Sequence, residues 1–252
     1  MAKLKGSVGP MSMVALLREV RKAERDSKPL AVAGARELVP VLARELRVGG
    51  DPLAVLEQET TDAAALIWVG DADEERLRAA SRQRIPIIAV SDAATLPYVL
   101  ADDIVRVPPG QGFPIERIAE VLARRLDDEG LSLAARLPVL RNAVTARLIT
   151  AASRRNGLIG VAVFIPGVDM PILTLNQIRM VLWIALANDQ AIDRRRSLEL
   201  LAVVGAGFGF RAAARELLDF TPFAGWAVKA AVAYTGTRAI GEAAIRYFET
   251  VA

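Results

Sequence analysis

The densest group of side chains that could do chemistry is acidic and consists of Asp71, Asp73, Glu74 and Glu75. Carboxylates that follow a buried strand could hold a cation at the carboxyl edge of a sheet. The same residues are also typical of a helix N-terminus, where one side chain caps the first turn and negative charge complements the helix dipole. We expect the capping role, because the sequence places no phosphate-binding loop beside this cluster.

The composition excludes several classes of chemistry. The 252 residues include no His and no Cys, which excludes a histidine base, a cysteine nucleophile and a Cys/His metal centre. The 32 Lys and Arg residues barely exceed the 29 Asp and Glu residues, and only 5% of the chain is aromatic. A basic stripe with interleaved aromatic residues, which nucleic-acid binding favours, is missing. We therefore expect no catalytic residue, metal, cofactor or nucleic-acid partner.

The elements that position these residues are predicted from the spacing of the apolar residues. Between residues 28 and 130, short apolar runs alternate with helical spacing, which favours parallel strands joined by crossover helices. The predicted strands span 29–33, 52–56, 64–69, 86–90 and 104–107, and the predicted helices span 37–46, 74–82, 93–100 and 114–126. The sequence thus predicts a three-layer α/β domain, with ligands at the carboxyl ends of the strands.

Beyond residue 130 the spacing is helical throughout. Predicted helices span 137–155, 169–187, 193–219 and 221–251, with breaks at 156–157, 188–190 and 220–222. Small residues are dense in 202–214 and 230–244, which allows helix backbones to approach closely. Residues 1–129 carry 18 basic and 21 acidic side chains, whereas 130–252 carry 14 and 8. We therefore expect two domains, 28–130 and 131–252, with residues 1–27 in front of them.

Residues 11–26 have the spacing of an amphipathic helix, with Leu16, Leu17 and Val20 on its apolar face. We expect this helix to pack on its own domain; docking on a membrane surface or a partner is the alternative. The longest uncharged runs of the helical half, 156–168 and 200–210, are shorter than the about 20 residues of a spanning helix. Peripheral membrane contact and a soluble helical core or oligomer both stay open.

Asp169 and Gln177 share one face of a predicted helix but lie too far apart to touch. With Pro166 and Pro171 they are expected to fix the entry of that helix rather than to perform acid/base chemistry. Arg194, Arg195 and Arg196 stand at a predicted helix start, where they oppose the dipole. They are expected either to face phosphate, lipid headgroups or acidic groups, or to form a plain solvated cluster.

Four elements of the helical half carry a resemblance to a known family. They are IPxxDxPxLxxxQ, with Pro166, Asp169, Pro171 and Gln177; the glycine-rich Gly205, Gly209 and Arg211; PxxGW at Pro222, Gly225 and Trp226; and GTxAIGxAAxxYFE over 236–249, with Gly236 and Gly241. This half resembles the bacterial domain of unknown function 697, a helical domain often attached to Era-like GTPase domains. The resemblance implies a helical fold and a neighbouring GTPase domain, but no particular activity.

A GTPase phosphate-binding loop has the form GxxxxGK[ST]. After the first predicted strand Gly34 is present, but Val39, Pro40 and Val41 replace the glycine, lysine and hydroxyl residue. The guanine-binding NKxD element falls on 89–92, where only Asp92 matches. Residues 108–126 resemble the final loop and helix of a small GTPase. Residues 28–130 are therefore similar to a degenerate GTPase domain, with a generic Rossmann-like domain as the alternative.

These observations predict a non-enzymatic scaffold or interaction protein. Its helical half would self-associate, bind a protein partner or contact a membrane, and Pro222, Gly225, Trp226, Gly236 and Gly241 would set close helix packing. The alternative function is a nucleotide- or anion-binding switch without efficient hydrolysis, which would use Gly34, Asp92, Gly110 and Gly112. We expect a cytoplasmic location, because the sequence has no signal peptide and no Cys; the inner face of the cell membrane is the alternative.

Overall fold

The computed structural model of the chain describes residues 10–25, 27–108, 110–162, 169–190 and 225–251. By their contacts, the residues group into two compact units. We call Ala23–Val144 the α/β unit, and Met1–Lys22 together with Thr145–Ala252 the helical unit. The mixed architecture that the sequence predicts, a parallel sheet plus further helices, is confirmed at this level.

The α/β unit contains a sheet of five parallel strands in the order β2-β1-β3-β4-β5. The strands are β1 (Leu30–Gly34), β2 (Val55–Leu56), β3 (Ala65–Val69), β4 (Ile87–Ser91) and β5 (Ile104–Arg106). All five predicted strands are confirmed, but β2 is shorter than expected. A 3₁₀ turn, Pro52–Ala54, takes up its first three positions, because Asp51 caps this turn by accepting a 2.8 Å hydrogen bond from the Leu53 amide.

Four α-helices accompany the sheet: α2 (Val39–Leu46), α3 (Glu74–Arg82), α4 (Ile115–Arg125) and α5 (Asp127–Arg136). Because side chains alternate along a strand, each sheet face buries its own set of residues. Trp68 of β3 and Ala89 of β4 pack with Leu77 of α3. Helix α2 contacts β1 and β2, while α4 contacts β4 and β5. The sheet is therefore buried on both sides, which explains why its strands are almost entirely apolar.

The helix expected over 93–100 is wrong, since these residues form a loop. Pro97 has no amide to donate, and it disfavours the helical conformation of Leu96 before it. Tyr98 then adopts a positive φ of 62°. Leu96 still packs into the cluster around α3, so the loop covers the sheet where a crossover helix was expected.

The segment after residue 130 packs against the sheet's last helix rather than continuing directly into the helical unit. Helix α5 and the 3₁₀ turn Pro138–Leu140 contact α4. The Asp51 amide donates to the Arg136 carbonyl at 2.8 Å, and Arg136 Nε donates to the Asp51 carboxylate at 2.9 Å. A Cβ on Gly50 would lie 2.5 Å from the same carbonyl. The contact boundary lies at Val144, whereas the sequence pattern suggests 130.

The same contacts affect the ionisation of Asp51. The hydrogen bond from the Leu53 amide, and then the neighbouring Arg136 guanidinium, hold the pKa of Asp51 below its usual value, although partial burial acts in the opposite direction. The ionised carboxylate therefore favours the folded state.

In the helical unit the described helices are α1 (Pro10–Arg25), α6 (Arg141–Ala162), α7 (Asp169–Ala187) and α8 (Gly225–Val251); the ends of α1 and α6 extend into the α/β unit. Leu16 and Val20 of α1 are buried, and Glu19 forms an ion pair with Arg179 of α7. Through these residues α1 packs within its own compact unit. Helix α7 has the predicted bounds, whereas the predicted helix 193–219 lies outside the described residues.

The break expected at 156–157 is wrong, because α6 continues through both residues. Asn156 is fully buried, and its side-chain amide donates a 2.8 Å hydrogen bond to Thr237 Oγ1 of α8. Gly157 lies against Tyr234 of α8, since a Cβ there would be in ordinary van der Waals contact with Tyr234 Cβ at 3.5 Å. Both residues that suggested a turn are therefore used for contact between helices.

Candidate functional site

The predicted ligand-binding residues of the α/β unit lie at one edge of the sheet. Gly34 is the last residue of β1, Asp92 follows β4, and Gly110 and Gly112 lie between β5 and α4. In the strand order β2-β1-β3-β4-β5, connections leave β1 and β3 in opposite directions, which creates the crevice where such sheets bind ligands. Asp92 lies two strands away from Gly34, about 10 Å along the hydrogen-bonding direction.

The turn between β1 and α2, where a phosphate-binding loop would lie, is closed by its own hydrogen bonds. The Ala35 amide donates to the Val69 carbonyl of β3 at 2.8 Å. The amides of Leu38 and Val39 donate to the Ala35 carbonyl at 3.0 and 3.1 Å, and Pro40 has no amide. Phosphate binding requires amides that point at the ligand. Here three of these amides are already engaged.

Gly34 is required by the backbone itself. Its φ is +125°, and a Cβ would lie 2.1 Å from the Val69 carbonyl oxygen. Gly70, which follows β3, has a φ of +95°, and a Cβ there would lie 3.0 Å from Ala35 Cβ. The loops after β1 and β3 are therefore packed against each other at the crevice. This close approach accounts for Gly34 without any ligand.

The remaining predicted ligand residues are more open. Asp92 is exposed, next to Ser91, whose buried hydroxyl accepts a 3.2 Å hydrogen bond from the Ala93 amide. A Cβ on Gly110 or Gly112 would meet nothing within 4 Å, and Gly110 has a φ of +82°. These residues leave space at the edge, but they bring only one charged group, the carboxylate of Asp92, to it.

The acidic cluster after β3 serves the structure of α3. Asp73 accepts a 3.1 Å hydrogen bond from the Arg76 amide and caps the helix, which confirms the expected capping role. Arg76 also lies over the Trp68 ring, 4.8 Å from its centroid, and donates to Glu59 at 2.8 Å. Within the described ranges, no three acidic, His or Cys side chains are grouped so that they could hold a metal ion.

A cavity of about 240 Å³ lies on the α3 side of the sheet. Leu66, Ala80 and Ile85 form its apolar wall, and Glu59 and Thr60 contribute polar groups. Leu66 is the second residue of β3, so the cavity lies toward the amino ends of the strands, away from the predicted ligand edge. Its volume is below the usual 300–1,000 Å³ of small-molecule sites.

Several predicted residues of the helical unit lie outside the described part of the chain: Pro166, Gly205, Gly209, Arg211 and Pro222, together with the cluster 194–196. Asp169 and Pro171 stand in the first turn of α7, where a helix entry was expected, and Gly225 and Trp226 begin α8. The side-chain surroundings of these four residues are not part of what the structure describes.

Gln177 belongs to a buried polar cluster that the sequence pattern did not reveal. Gln177 Nε2 and Asn156 Nδ2 both donate to Thr237 Oγ1, at 3.0 and 2.8 Å, and Asn176 Nδ2 donates to Asn156 Oδ1 at 3.0 Å. The Thr237 hydroxyl donates to the Ala233 carbonyl at 2.7 Å. The cluster joins α6, α7 and α8, and two of its buried oxygens, Gln177 Oε1 and the nearby Ser153 Oγ of α6, have no hydrogen-bond partner. We call Ser153, Asn156, Asn176, Gln177 and Thr237 the polar cluster.

Glycines beside the polar cluster bring α6 and α8 close together. A Cβ on Gly241 would lie 2.6 Å from Ile149 Cγ1, and one on Gly160 would lie 3.1 Å from the Lys229 carbonyl oxygen. A Cβ on Gly236 would meet nothing within 4 Å. Gly241 therefore sets helix packing inside the unit, whereas the described residues give Gly236 no such contact.

Comparison with protein-family models, with curated proteins and with solved structures gives no match for this chain. Across the helices that the structure describes, none combines the length and the apolar character needed to cross a lipid bilayer.

Proposed function

We propose that the protein is a non-enzymatic scaffold or interaction protein. Its α/β unit would be a GTPase-like domain without a working phosphate-binding loop, and its helical unit, similar to domain of unknown function 697, would self-associate or contact a membrane. The observation that carries the proposal is the closed turn after β1, in which the amide of Ala35 is bonded to Val69 and those of Leu38 and Val39 to Ala35.

The likeness to a GTPase domain is supported by position rather than by chemistry. The counterpart of the phosphate-binding loop joins β1 to α2, and the counterpart of the guanine-binding element ends at Asp92, directly after β4. In each place the fold offers the expected position, while Val39, Pro40 and Val41 lack the groups that catalysis needs. This combination supports the binding of a partner rather than the turnover of a nucleotide.

The test uses the purified full chain with GTP, GDP or ATP and Mg²⁺ at millimolar concentration. We expect no hydrolysis above that of buffer and no rise of the melting temperature. A ligand present at 100 times its Kd would add about 2.7 kcal/mol to the free energy of unfolding. A rise that disappears in Asp92→Ala, but not in the matched exposed variant Asp102→Ala, would instead establish the nucleotide-binding switch.

Self-association is tested by light scattering on the same protein. We expect a mass above that of one chain, and a lower mass for Gly236→Leu, because Gly236 has no packing role among the described residues and is free to serve a second copy. A single-chain mass for the unmodified protein would remove self-association and leave membrane contact as the role of the helical unit.

A further inference from the structure

Helix α6 has its polar and small residues on the inside. The residues Ile149, Ser153, Asn156 and Gly160 are buried and follow one another at helical spacing. The opposite face presents Ala151, Arg154 and Leu158 to solvent at the same spacing. A helix of a water-soluble bundle normally buries its apolar stripe. In α6 an exposed leucine follows two exposed arginines, while serine and asparagine are buried.

The outward face of α6 is positive and has no compensating charge on its own helix. Arg154 and Arg155 are both exposed and form no ion pair with any described residue. The helix contains four arginines and no acidic residue. Leu158, one turn further on, exposes 71% of its surface. We call Arg154, Arg155 and Leu158 the α6 face.

We propose that the α6 face docks on a lipid bilayer surface with anionic headgroups. This inference rests on the membrane contact suggested above and assigns it to particular residues. Guanidinium groups form paired hydrogen bonds with phosphate oxygens, and their aliphatic stems can lie along the acyl boundary while the charge stays among the headgroups. Leu158, one turn beyond the two arginines, would then insert to the depth of an interfacial helix.

Two observations favour a bilayer over an acidic protein. The contacts between α6 and α8 use Gly157, Gly160 and Gly241 together with buried hydroxyl and amide groups, which is how helices associate when lipid covers their outer surfaces. The half of the chain that contains α6 carries 14 basic and only 8 acidic residues, so an anionic surface of any extent attracts it as a whole. Leu158 gains nothing from an acidic patch, but it gains from lipid.

The experiment is flotation of the full chain with phosphatidylcholine vesicles, with and without 30% phosphatidylglycerol, at low and high salt. We expect binding to the anionic vesicles only, and weaker binding at high salt. The double variant Arg154→Glu/Arg155→Glu should lower the partition coefficient at least about twenty-five-fold, because each basic residue near an anionic surface contributes about a factor of five. Arg78→Glu/Arg82→Glu on α3 changes the net charge equally at two exposed positions and should keep wild-type binding.

The apolar part of the face is tested separately. Leu158→Ser should lower the partition coefficient about fivefold at either salt concentration, because it removes apolar area from the lipid contact. The control is Leu53→Ser, which changes a leucine of the α/β unit that is 73% exposed and should have no effect. Circular dichroism of all variants verifies that the fold is retained.

The possible results separate this assignment from the proposed function. If the unmodified chain floats and the α6 variants float equally well, or if the α3 variant loses as much binding, the α6 face is not the docking surface although membrane contact stands. If the chain binds neither kind of vesicle and stays at the bottom of the gradient, the lipid assignment and membrane contact are both overturned. The oligomer mass alone then decides whether the scaffold function survives.

Discussion

The cores of the two units are stabilised by different kinds of contact. The sheet of the α/β unit packs through fully buried apolar side chains such as Ile67, Ile88 and Leu122. The helices of the helical unit also bury apolar side chains such as Trp183 and Phe248, but they meet in addition through fully buried amides and a hydroxyl, with Asn156 and Gln177 both bonded to Thr237. Apolar burial is tolerant of direction, whereas a hydrogen bond requires its partner at one place. The core of the α/β unit therefore depends mainly on side-chain volume, whereas that of the helical unit depends in addition on the register of its helices.

Glycine also has a different meaning in each unit. In the α/β unit, Gly34 permits a backbone conformation and a backbone contact at the end of a strand. In the helical unit, Gly160 and Gly241 have ordinary helical geometry and permit helices to approach. A larger residue is therefore expected to destabilise the α/β unit through backbone strain at Gly34. In the helical unit it is expected to destabilise the protein through steric overlap between helices.

The largest expected effect comes from Gly34→Ala. The new Cβ would lie 2.1 Å from the Val69 carbonyl oxygen at a φ of +125°, so we expect a loss of more than about 4 kcal/mol in the free energy of unfolding. Urea denaturation measures it. Gly112→Ala, where a Cβ meets nothing within 4 Å, is the control and should change stability little; equal stability of the two variants would refute the close backbone contact.

The second prediction removes the centre of the polar cluster. Thr237→Val leaves Asn156 Nδ2 and Gln177 Nε2 without their acceptor, which should cost about 3 kcal/mol. Thr235→Val changes an exposed threonine of the same helix and should cost less than about 0.5 kcal/mol.

Replacing the polar groups together by apolar side chains should reverse the loss of stability caused by Thr237→Val. The triple variant Asn156→Leu/Gln177→Met/Thr237→Val removes two donors and their acceptor together, and the Asn176 amide that loses Asn156 Oδ1 is only part-buried, so the variant should regain most of the lost stability. If Thr237→Val were as stable as the wild type, the polar cluster would not hold the helices, and the contrast between the two cores would disappear.

The third prediction compares two glycines of α8. Gly241→Leu inserts side-chain volume where a Cβ already lies 2.6 Å from Ile149 Cγ1, so it should destabilise the protein by about 2 kcal/mol. Gly236→Leu has open space among the described residues and should be more stable than Gly241→Leu, since leucine also favours a helix over glycine by about 0.8 kcal/mol. Thermal unfolding ranks the two, and the reverse order would show that α6 and α8 do not meet at Gly241.

The smallest expected effect is the response of Asp51 to pH. Its pKa is lowered in the folded protein, so the associated stability is present above the unfolded pKa near 3.8 and is lost as the pH falls through the folded value. Because Asp51 is partly exposed, we expect less than about 1 kcal/mol. Urea midpoints between pH 5 and pH 2 should fall more steeply for the wild type than for Asp51→Asn, which keeps an acceptor for the Leu53 amide. Parallel pH profiles would contradict the linkage.

The parts of the fold that sequence predicts are those set by local patterns. Apolar runs located all five strands, and the cap at Asp73 located the start of α3. Pro97 argues against a helix over 93–100 more strongly than the apolar spacing argues for one, because proline has no amide to donate. Helix caps, apolar periodicity and proline act within a few residues. A single sequence therefore contains the information that locates these helices and strands.

The parts that sequence did not predict depend on distant partners. The residue types Asn156 and Gly157 are typical of a turn. Their helical role depends on Thr237 and Tyr234, which lie 81 and 77 positions further along the chain. Gly34 resembled the remnant of a ligand site because nothing in the pattern indicated that Val69 lies against it. Only the polar and glycine-rich character of 230–244 could have suggested that α6 needs complementary partners there.

The hydrogen bond between the Ala35 amide and the Val69 carbonyl couples any ligand at the crevice to local opening of the chain. A phosphate could bind this amide only in molecules in which the hydrogen bond is broken. Its apparent Kd would therefore equal the intrinsic Kd divided by the fraction of open molecules. An open fraction of about 1% would weaken binding about a hundredfold. The exchange rate of the Ala35 amide hydrogen with solvent deuterium measures that fraction directly.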